Sequence, residues 1–270
     1  MTTIGFVGAG IMGNALALRL SRLGYPVIAV SSRRYTSAAR LAQQIPGCQA
    51  YHNAQEVADR ANMVFVTTPD DIIPVIAVQV TWRTGQSVVH ASGVAATDIL
   101  SPARDAGARV GVFHPLQSFA SIEQAILNLP GSTFALETEP DLAGTLQKMA
   151  NDLGGHWIEL AAGDKVAYHA AAVIVSNYMV TLTQMALDLW QTFGIPAPQA
   201  TQALLPLMQG TLRNIGAMGL PQCLTGPIAR GDIGTVRKHL AALEDSAPQL
   251  LAAYRELAGG PCLSLWLKVN

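Results

Sequence analysis

The stretch Gly8-Ala9-Gly10-Ile11-Met12-Gly13 has the residue types and spacing of a phosphate cradle. It follows an apolar run and opens a helical pattern, the setting in which such a loop binds a dinucleotide. Gly8 permits a tight turn, Gly10 lets backbone approach a pyrophosphate, and Gly13 lets helix and strand pack closely. Free N–H groups and the dipole at the helix start favour the anion. Past the second apolar run, an NAD site usually carries Asp or Glu on the ribose hydroxyls. Here the residues are Ser31-Ser32-Arg33-Arg34. Two hydroxyls and two guanidiniums with no carboxylate suit a 2′-phosphate, so the expected cofactor is NADP(H) in preference to NAD(H). Arg34 reads equally well as a solvated surface charge. Thr68 and Pro69 end the third long apolar run and are expected to border the cofactor. Asp70 and Asp71 are expected to cap the helix that follows.

Three further groups could move protons. His90-Ala91-Ser92-Gly93 ends one strand pattern, with Ser92 expected toward the crevice and His90 in the core. His114 sits at the end of another strand, ahead of Pro115. An imidazole there can exchange a proton with a carbonyl that receives a hydride. Gln117 and Ser118 either meet substrate or satisfy loop backbone. On a helical wheel Lys165, His169, Ala172, Ser176 and Thr183 form one stripe on an otherwise apolar helix, with Asn177 beside it. Lys165 and His169 are candidate proton donors. The bland reading is a charged first turn with hydroxyls bonded to helix carbonyls. In Leu224–Asp232, Thr225 and Arg230 could reach a substrate anion or brace the loop, and Asp232 reads as an N-cap.

The elements that carry these residues change character along the chain. Strand patterns at residues 4–7, 27–30, 63–67, 87–90, 110–113, 132–136 and 156–160 alternate with helical ones. Continuous apolar strands between helices imply a mostly parallel sheet covered on both faces, hence a doubly wound α/β domain of the Rossmann type. From residue 163 the pattern is helical: 164–193, 198–214, 232–243 and 247–258, with a strand pattern returning only in the last few residues. The expected division is a dinucleotide-binding domain over 1–162 and an all-α substrate and dimerisation domain over 163–270.

Composition narrows the function classes. The chain has 270 residues, 50% hydrophobic and 13% charged, which excludes a disordered chain. With 17 basic and 18 acidic side chains it lacks the positive excess of a nucleic-acid binder. Low charge with high apolar content suggests apolar surface buried between subunits. Cys48, Cys223 and Cys262 form no Cys-x-x-Cys or Cys/His cluster, so neither a disulfide framework nor a metal site is expected. The N-terminus lacks a basic region and reads as no signal peptide, which points to the cytoplasm. Val166–Leu187 has no Asp, Glu, Lys or Arg, but its six polar side chains argue for a buried soluble helix, not a membrane span.

The Gly-Phe-Val-Gly-Ala-Gly-Ile-Met-Gly segment with Gly24 resembles the phosphogluconate and hydroxyisobutyrate dehydrogenase superfamily. Four further segments narrow that likeness: His90–Gly93, Phe113–Phe119, Tyr168–Ala172 with Ser176-Asn177, and Leu224–Asp232. They resemble Rossmann-like bacterial proteins with a C-terminal helical domain of unknown function, often likened to deazaflavin-dependent NADP reductases, although nothing in this chain reads deazaflavin. The resemblance spans essentially the whole chain and implies a dimer built through the helical domain. Prephenate dehydrogenases have a catalytic histidine in a similar Gly-x-His-Pro stretch and a serine on the preceding strand; His114 and Ser92 match that pattern. Hydroxyacid dehydrogenases pair a lysine with an asparagine four residues on. Lys165 matches the lysine, but His169 stands where the asparagine would be, and their Gly-Gly substrate motif is missing. The resemblance thus implies an NADP-dependent oxidoreductase acting on a small carbonyl or hydroxyl compound, with His114, Lys165 and Ser92 catalytic. Two other readings stay open: an NADP-binding sensor without turnover, and an imine reductase of the pyrroline-carboxylate type that relies on Thr225–Arg230.

Overall fold

The structure, a computed structural model, describes residues 2–259. Cys262 and the strand pattern expected at the chain's end lie outside the described residues. Eight strands form one sheet: β1 (Ile4–Val7), β2 (Val27–Ser31), β3 (Gln49–Tyr51), β4 (Met63–Val66), β5 (Ser87–His90), β6 (Arg109–Leu116), β7 (Thr133–Thr138) and β8 (His156–Glu159). Their order is β3-β2-β1-β4-β5-β6-β7-β8. Every pairing is parallel except β6 with β7. The helices on this unit are α1 (Ile11–Arg22), α2 (Tyr35–Ala42), α3 (Ala54–Ala58), α4 (Ile73–Gln79), α5 (Ser101–Asp105), α6 (Ile122–Asn128) and α7 (Pro140–Asp152). The doubly wound α/β expectation is met.

Helices on both faces explain why β1 and β4 are buried at every position and read as continuous apolar runs. On one face Phe6, Phe65, Phe113 and Phe134 make a row from β1 to β7, with ring centroids 5.2, 5.9 and 4.6 Å apart. Offset and edge-on aromatic pairs of this kind add about 1 kcal/mol each beyond burial. The row crosses the antiparallel junction and ties β7 to the parallel part of the sheet.

Several expectations need correction. β3, α3, α5 and α6 are additional to the expected elements; α3 and α6 do carry apolar residues at helical spacing (Ala54, Val57, Ala58 and Ala61; Ile122, Ala125, Ile126 and Leu129), in runs of only two turns. The short α3 exists because Asn53 and Glu56 form a capping box across its first turn. β6 does not stop before Pro115. It continues to Leu116, with Pro115 opposite Phe134 in the antiparallel pair. Asp70 and Asp71 do not cap α4. They lie inside a 3-10 turn, Asp70–Ile72, whose N-cap is Pro69.

The helical part comprises α8 (Lys165–Thr192), α9 (Ala197–Met218), α10 (Gly226–Ala229), α11 (Ile233–Ser246) and α12 (Leu251–Gly259). The chain divides into compact units between Ser176 and Asn177, inside α8, so the first turns of that helix go with the sheet. This is later than residue 162, where the strand patterns end. The expectation that α8 is a buried helix fails: only 6% of its most apolar stretch is buried. By length and composition Ala162–Thr192 could cross a membrane. Asp232 caps α11 as expected, its Oδ1 accepting from Thr235 N at 2.9 Å.

Candidate functional site

The glycine loop is held from both neighbouring strands. Gly8 N donates to Ser31 O at 2.8 Å, and Thr67 Oγ1 donates to Gly8 O at 2.8 Å. Gly8 has φ +112°, and a Cβ there would lie 2.7 Å from the Thr67 carbonyl, so only glycine fits. A Cβ on Gly13 would meet Gly8 O at 2.2 Å. These two glycines are required by packing. Gly10 differs: a Cβ there would have nothing within 4 Å. The space above it is open, as a cradle for a ligand should be. Gly10 is the N-cap of α1, with no side-chain cap and no acidic residue in the first turn. The first-turn N–H groups therefore lack intrahelical partners. Asn14 Nδ2 donates to Ala9 O at 2.9 Å and Gly10 O at 2.8 Å, bracing the loop from inside.

Beside this loop runs a cleft of about 720 Å³ at the carboxyl ends of β1, β2 and β4. Gly8, Ala9, Gly10, Ser31 and Ser32 line it, as do Arg33, Thr68 and Pro69. Ile11, Met12 and Gly13 do not line it and form the first turn of α1 beside Gly10. Thr68 Oγ1 is buried without a hydrogen-bond partner among the described residues. A buried hydroxyl in that state costs on the order of 1 kcal/mol or more unless a ligand engages it. Neither Arg33 nor Arg34 forms an ion pair among the described residues. An open backbone cradle, an unengaged hydroxyl and unpaired guanidiniums together fit a phosphorylated dinucleotide.

A second constellation gathers around Gly93, past the end of β5. His114 Nδ1 is 2.8 Å from Tyr168 Oη. A Cβ on Gly93 would lie 2.8 Å from His114 Nε2 and 2.6 Å from His169 Cδ2, so both imidazoles close on this glycine. Burial first, then Lys165, His169 and His90, hold His114 down at about 4. Burial pushes the Tyr168 phenol up to about 12. Tyr168 therefore keeps its proton at neutral pH and His114 is uncharged. With the phenol donating to Nδ1, Nε2 bears the ring proton and faces Gly93.

Lys165 is 1% exposed, and its Nζ donates to Ser92 O at 3.0 Å. Burial lowers it to about 8, against the opposing pull of Glu137 and Asp70. Glu137 Oε1 accepts from Thr97 N at 3.0 Å and Thr97 Oγ1 at 2.7 Å, while Oε2 is buried with no partner.

The structure thus brings His114, Lys165, the Ser92 backbone and His169 together, and reassigns some parts. Ser92 does not hold His114 through its hydroxyl. Its Oγ accepts from Val94 N and Ala95 N at 3.3 and 3.0 Å and so braces the loop. Tyr168 is the partner of His114 instead. His90 is a core residue as expected, accepting from Ser92 N at 3.1 Å with Nε2 facing Ala96 O at 3.1 Å. Gln117 is spent locally: its Oε1 accepts from Ser118 N at 2.9 Å. Thr183 takes the bland reading, donating to Met179 O at 2.7 Å. Asn177 and Arg230 are exposed and belong to the second unit. Sequence reasoning gave no role to Gly93, Tyr168, Asn14 or Glu137. Tyr168 was within reach, since Lys165, Tyr168 and His169 stand at i, i+3 and i+4 on one helix. Glu137 was not, because it arrives on a strand whose antiparallel pairing no periodicity reveals.

Burial of neutral imidazoles makes the fold acid-sensitive. His90 is 0% exposed, and burial lowers it to about 4. Between pH 6.5 and 4 the unfolded chain takes up a proton that the folded chain refuses. Stability therefore falls on acidification, by about 1.4 kcal/mol per pH unit for each such group. Urea unfolding at pH 7 and pH 5 should show this loss, and His90→Gln should shrink it. An unchanged difference would place the acid sensitivity elsewhere.

The fold and the first constellation define a protein of the dinucleotide-binding Rossmann class. Family models match residues 1–115 as a Rossmann-like domain and residues 132–260 as a domain of unknown function, DUF2520. Among solved structures, a proposed NADP oxidoreductase from Bacteroides fragilis, BF3122, is 26% identical, with 95% of this chain and 96% of that one covered at TM-score 0.75. Protein TM1727 from Thermotoga maritima is 26% identical, with 98% of each chain covered at TM-score 0.76. A reductive aminase from Aspergillus terreus, in complex with NADPH and ethyl levulinate, is 16% identical over 100% of both chains at TM-score 0.70 and shares the fold. No curated protein matches the chain.

Proposed function

We propose that the protein is an NAD(P)-dependent oxidoreductase that prefers NADP(H) and works on a small carbonyl, hydroxyl or imine compound. The observation that carries the reading is the open Gly10 cradle together with the unpaired Arg33 and Arg34 in the same cleft. The first-turn N–H groups of α1 would hold the pyrophosphate, and Ser32, Arg33 and Arg34 the 2′-phosphate. The bound nicotinamide supplies or accepts the hydride.

This chain's own residues handle the proton. His114, oriented by Tyr168, donates a hydrogen bond from Nε2–H to the substrate oxygen or nitrogen and so stabilises the charge that develops there, while the proton itself comes from a cationic carrier. Lys165 fixes the Ser92–Gly93 backbone from beneath and is that proton carrier. His169 borders the same space. The imine reading gains support from the reductive aminase that shares the fold. The exposed apolar stripe of α8 supports a homodimer paired through the helical domain.

Fluorescence titration with NADPH and, separately, NADH tests the cofactor reading. NADPH should bind at least about tenfold more tightly, the worth of one or two charge-assisted contacts to a phosphate. Binding of neither nucleotide would end the enzyme reading. Light scattering on the same preparation reads the dimer, and a monomer mass would remove it.

A further inference from the structure

His52 emerges at the carboxyl end of β3, where the register places Ser31 opposite Tyr51. Two parallel strands thus deliver Ser32 and His52 side by side to the same end of the cleft, and both residues line it. The imidazole is held flat against Tyr35, the first residue of α2, with ring centroids 4.2 Å apart and planes 11° apart. Neither ring nitrogen has a hydrogen-bond partner among the described residues; only the backbone N of His52 is engaged, by Glu56 Oε2 at 3.0 Å. The charged or titratable groups around the ring are few. Arg33, Arg34 and Tyr35 come from the β2 side, Tyr51 from its own strand, and Glu56 from α3. Glu56 is committed to the capping box, where it accepts from His52 N and Asn53 N. Among the described residues no carboxylate lines the cleft, and Arg33, Arg34 and His52 are its only charged or titratable lining side chains.

An oriented imidazole with unengaged nitrogens, beside two unpaired guanidiniums, has the chemistry of a third phosphate ligand. We infer that His52 binds the 2′-phosphate of NADP(H) and makes the preference for NADP(H) over NAD(H) strengthen as pH falls. This rests on the cofactor reading above and extends it to a residue from β3. Imidazole is the side chain whose charge ordinarily changes between pH 5 and 8. Protonated, it adds a charge-assisted donor to an anion that NAD(H) lacks.

The test compares wild type with His52→Gln, which keeps a polar side chain without the charge. The ring is exposed and bonded to nothing, so the variant should melt with wild type. NADPH and NADH are titrated at pH 6 and pH 8. A phosphate monoester itself loses charge near pH ~6, so the readout is the ratio of variant to wild-type Kd, in which that titration cancels. For NADPH the ratio should be about fivefold at pH 6 and near one at pH 8, the scale of a partly solvated charge pair. For NADH it should stay near one at both. A ratio for NADPH that does not change with pH would overturn the inference, as would an equal loss for NADH, which would make His52 a support for the adenine. Those outcomes leave the cofactor reading standing. Failure of wild type to bind either nucleotide would remove both.

Discussion

Replacing His114 with alanine is expected to lower NADPH-dependent turnover by about 10²- to 10³-fold, the range of one positioned hydrogen-bond donor to the charge that develops in the transition state. NADPH affinity should stay within about twofold, because His114 does not line the cofactor cleft. The assay follows NADPH oxidation against a panel of 2-oxo acids, aldehydes and cyclic imines. Tyr168→Phe removes the phenol that orients Nδ1 and should cost about fivefold in kcat, one neutral hydrogen bond. Burial holds His114 at about 4, so it stays neutral from pH 5 to 9 and donates throughout. The wild-type rate should therefore show no imidazole break near pH 6. Lys165, lowered to about 8 by burial, gives the expected inflection: the rate falls as pH rises through about 8 and the ammonium is lost. Lys165→Met should abolish that inflection. Loss of NADPH binding in His114→Ala would mean the histidine belongs to the cofactor site. Unchanged turnover would take His114 out of the catalytic machinery.

How much of this site could be read from the residues depends on what placed each one. The glycine loop was fully legible, because its three glycines sit in contiguous sequence between a strand and a helix. So was the join of Lys165 with His169, since four residues bring side chains to one helical face. His114 was legible as a strand-end residue, but its environment was not. Tyr168 reaches it from 54 residues away, and Glu137 approaches Lys165 on β7, the strand that pairs antiparallel to β6. A period-2 or period-3.6 pattern records which face of an element is apolar, and nothing about which element lies opposite. The same limit explains α8. Its apolar composition was visible, and whether this chain or another surface covers that face was not. The short α3 depended on a capping box, a signal of only four residues, and β3 beside it had no apolar alternation at all.

The glycines of the loop make the second large prediction, because the structure separates those required by packing from the one left for a ligand. Gly10→Ala should fold normally and bind NADPH about 5- to 150-fold more weakly, the effect of forcing a methyl into an otherwise filled contact. At this position φ is −78°, an ordinary value for any residue, and the Cβ meets nothing. Restricting the unfolded chain gains roughly 0.4–1 kcal/mol. Alanine is a poorer N-cap than glycine and loses a comparable amount. The melting temperature should therefore stay close to wild type. Gly13→Ala behaves oppositely: its Cβ would sit 2.2 Å from Gly8 O and 2.6 Å from Thr67 Oγ1, so stability falls before binding can be measured. Calorimetry of the two variants beside a titration of NADPH separates the causes. If Gly10→Ala binds NADPH as wild type does, no phosphate approaches that backbone, and the first turn of α1 is not where the nucleotide lies. If it melts far below wild type, the open space at Gly10 is needed by the fold itself.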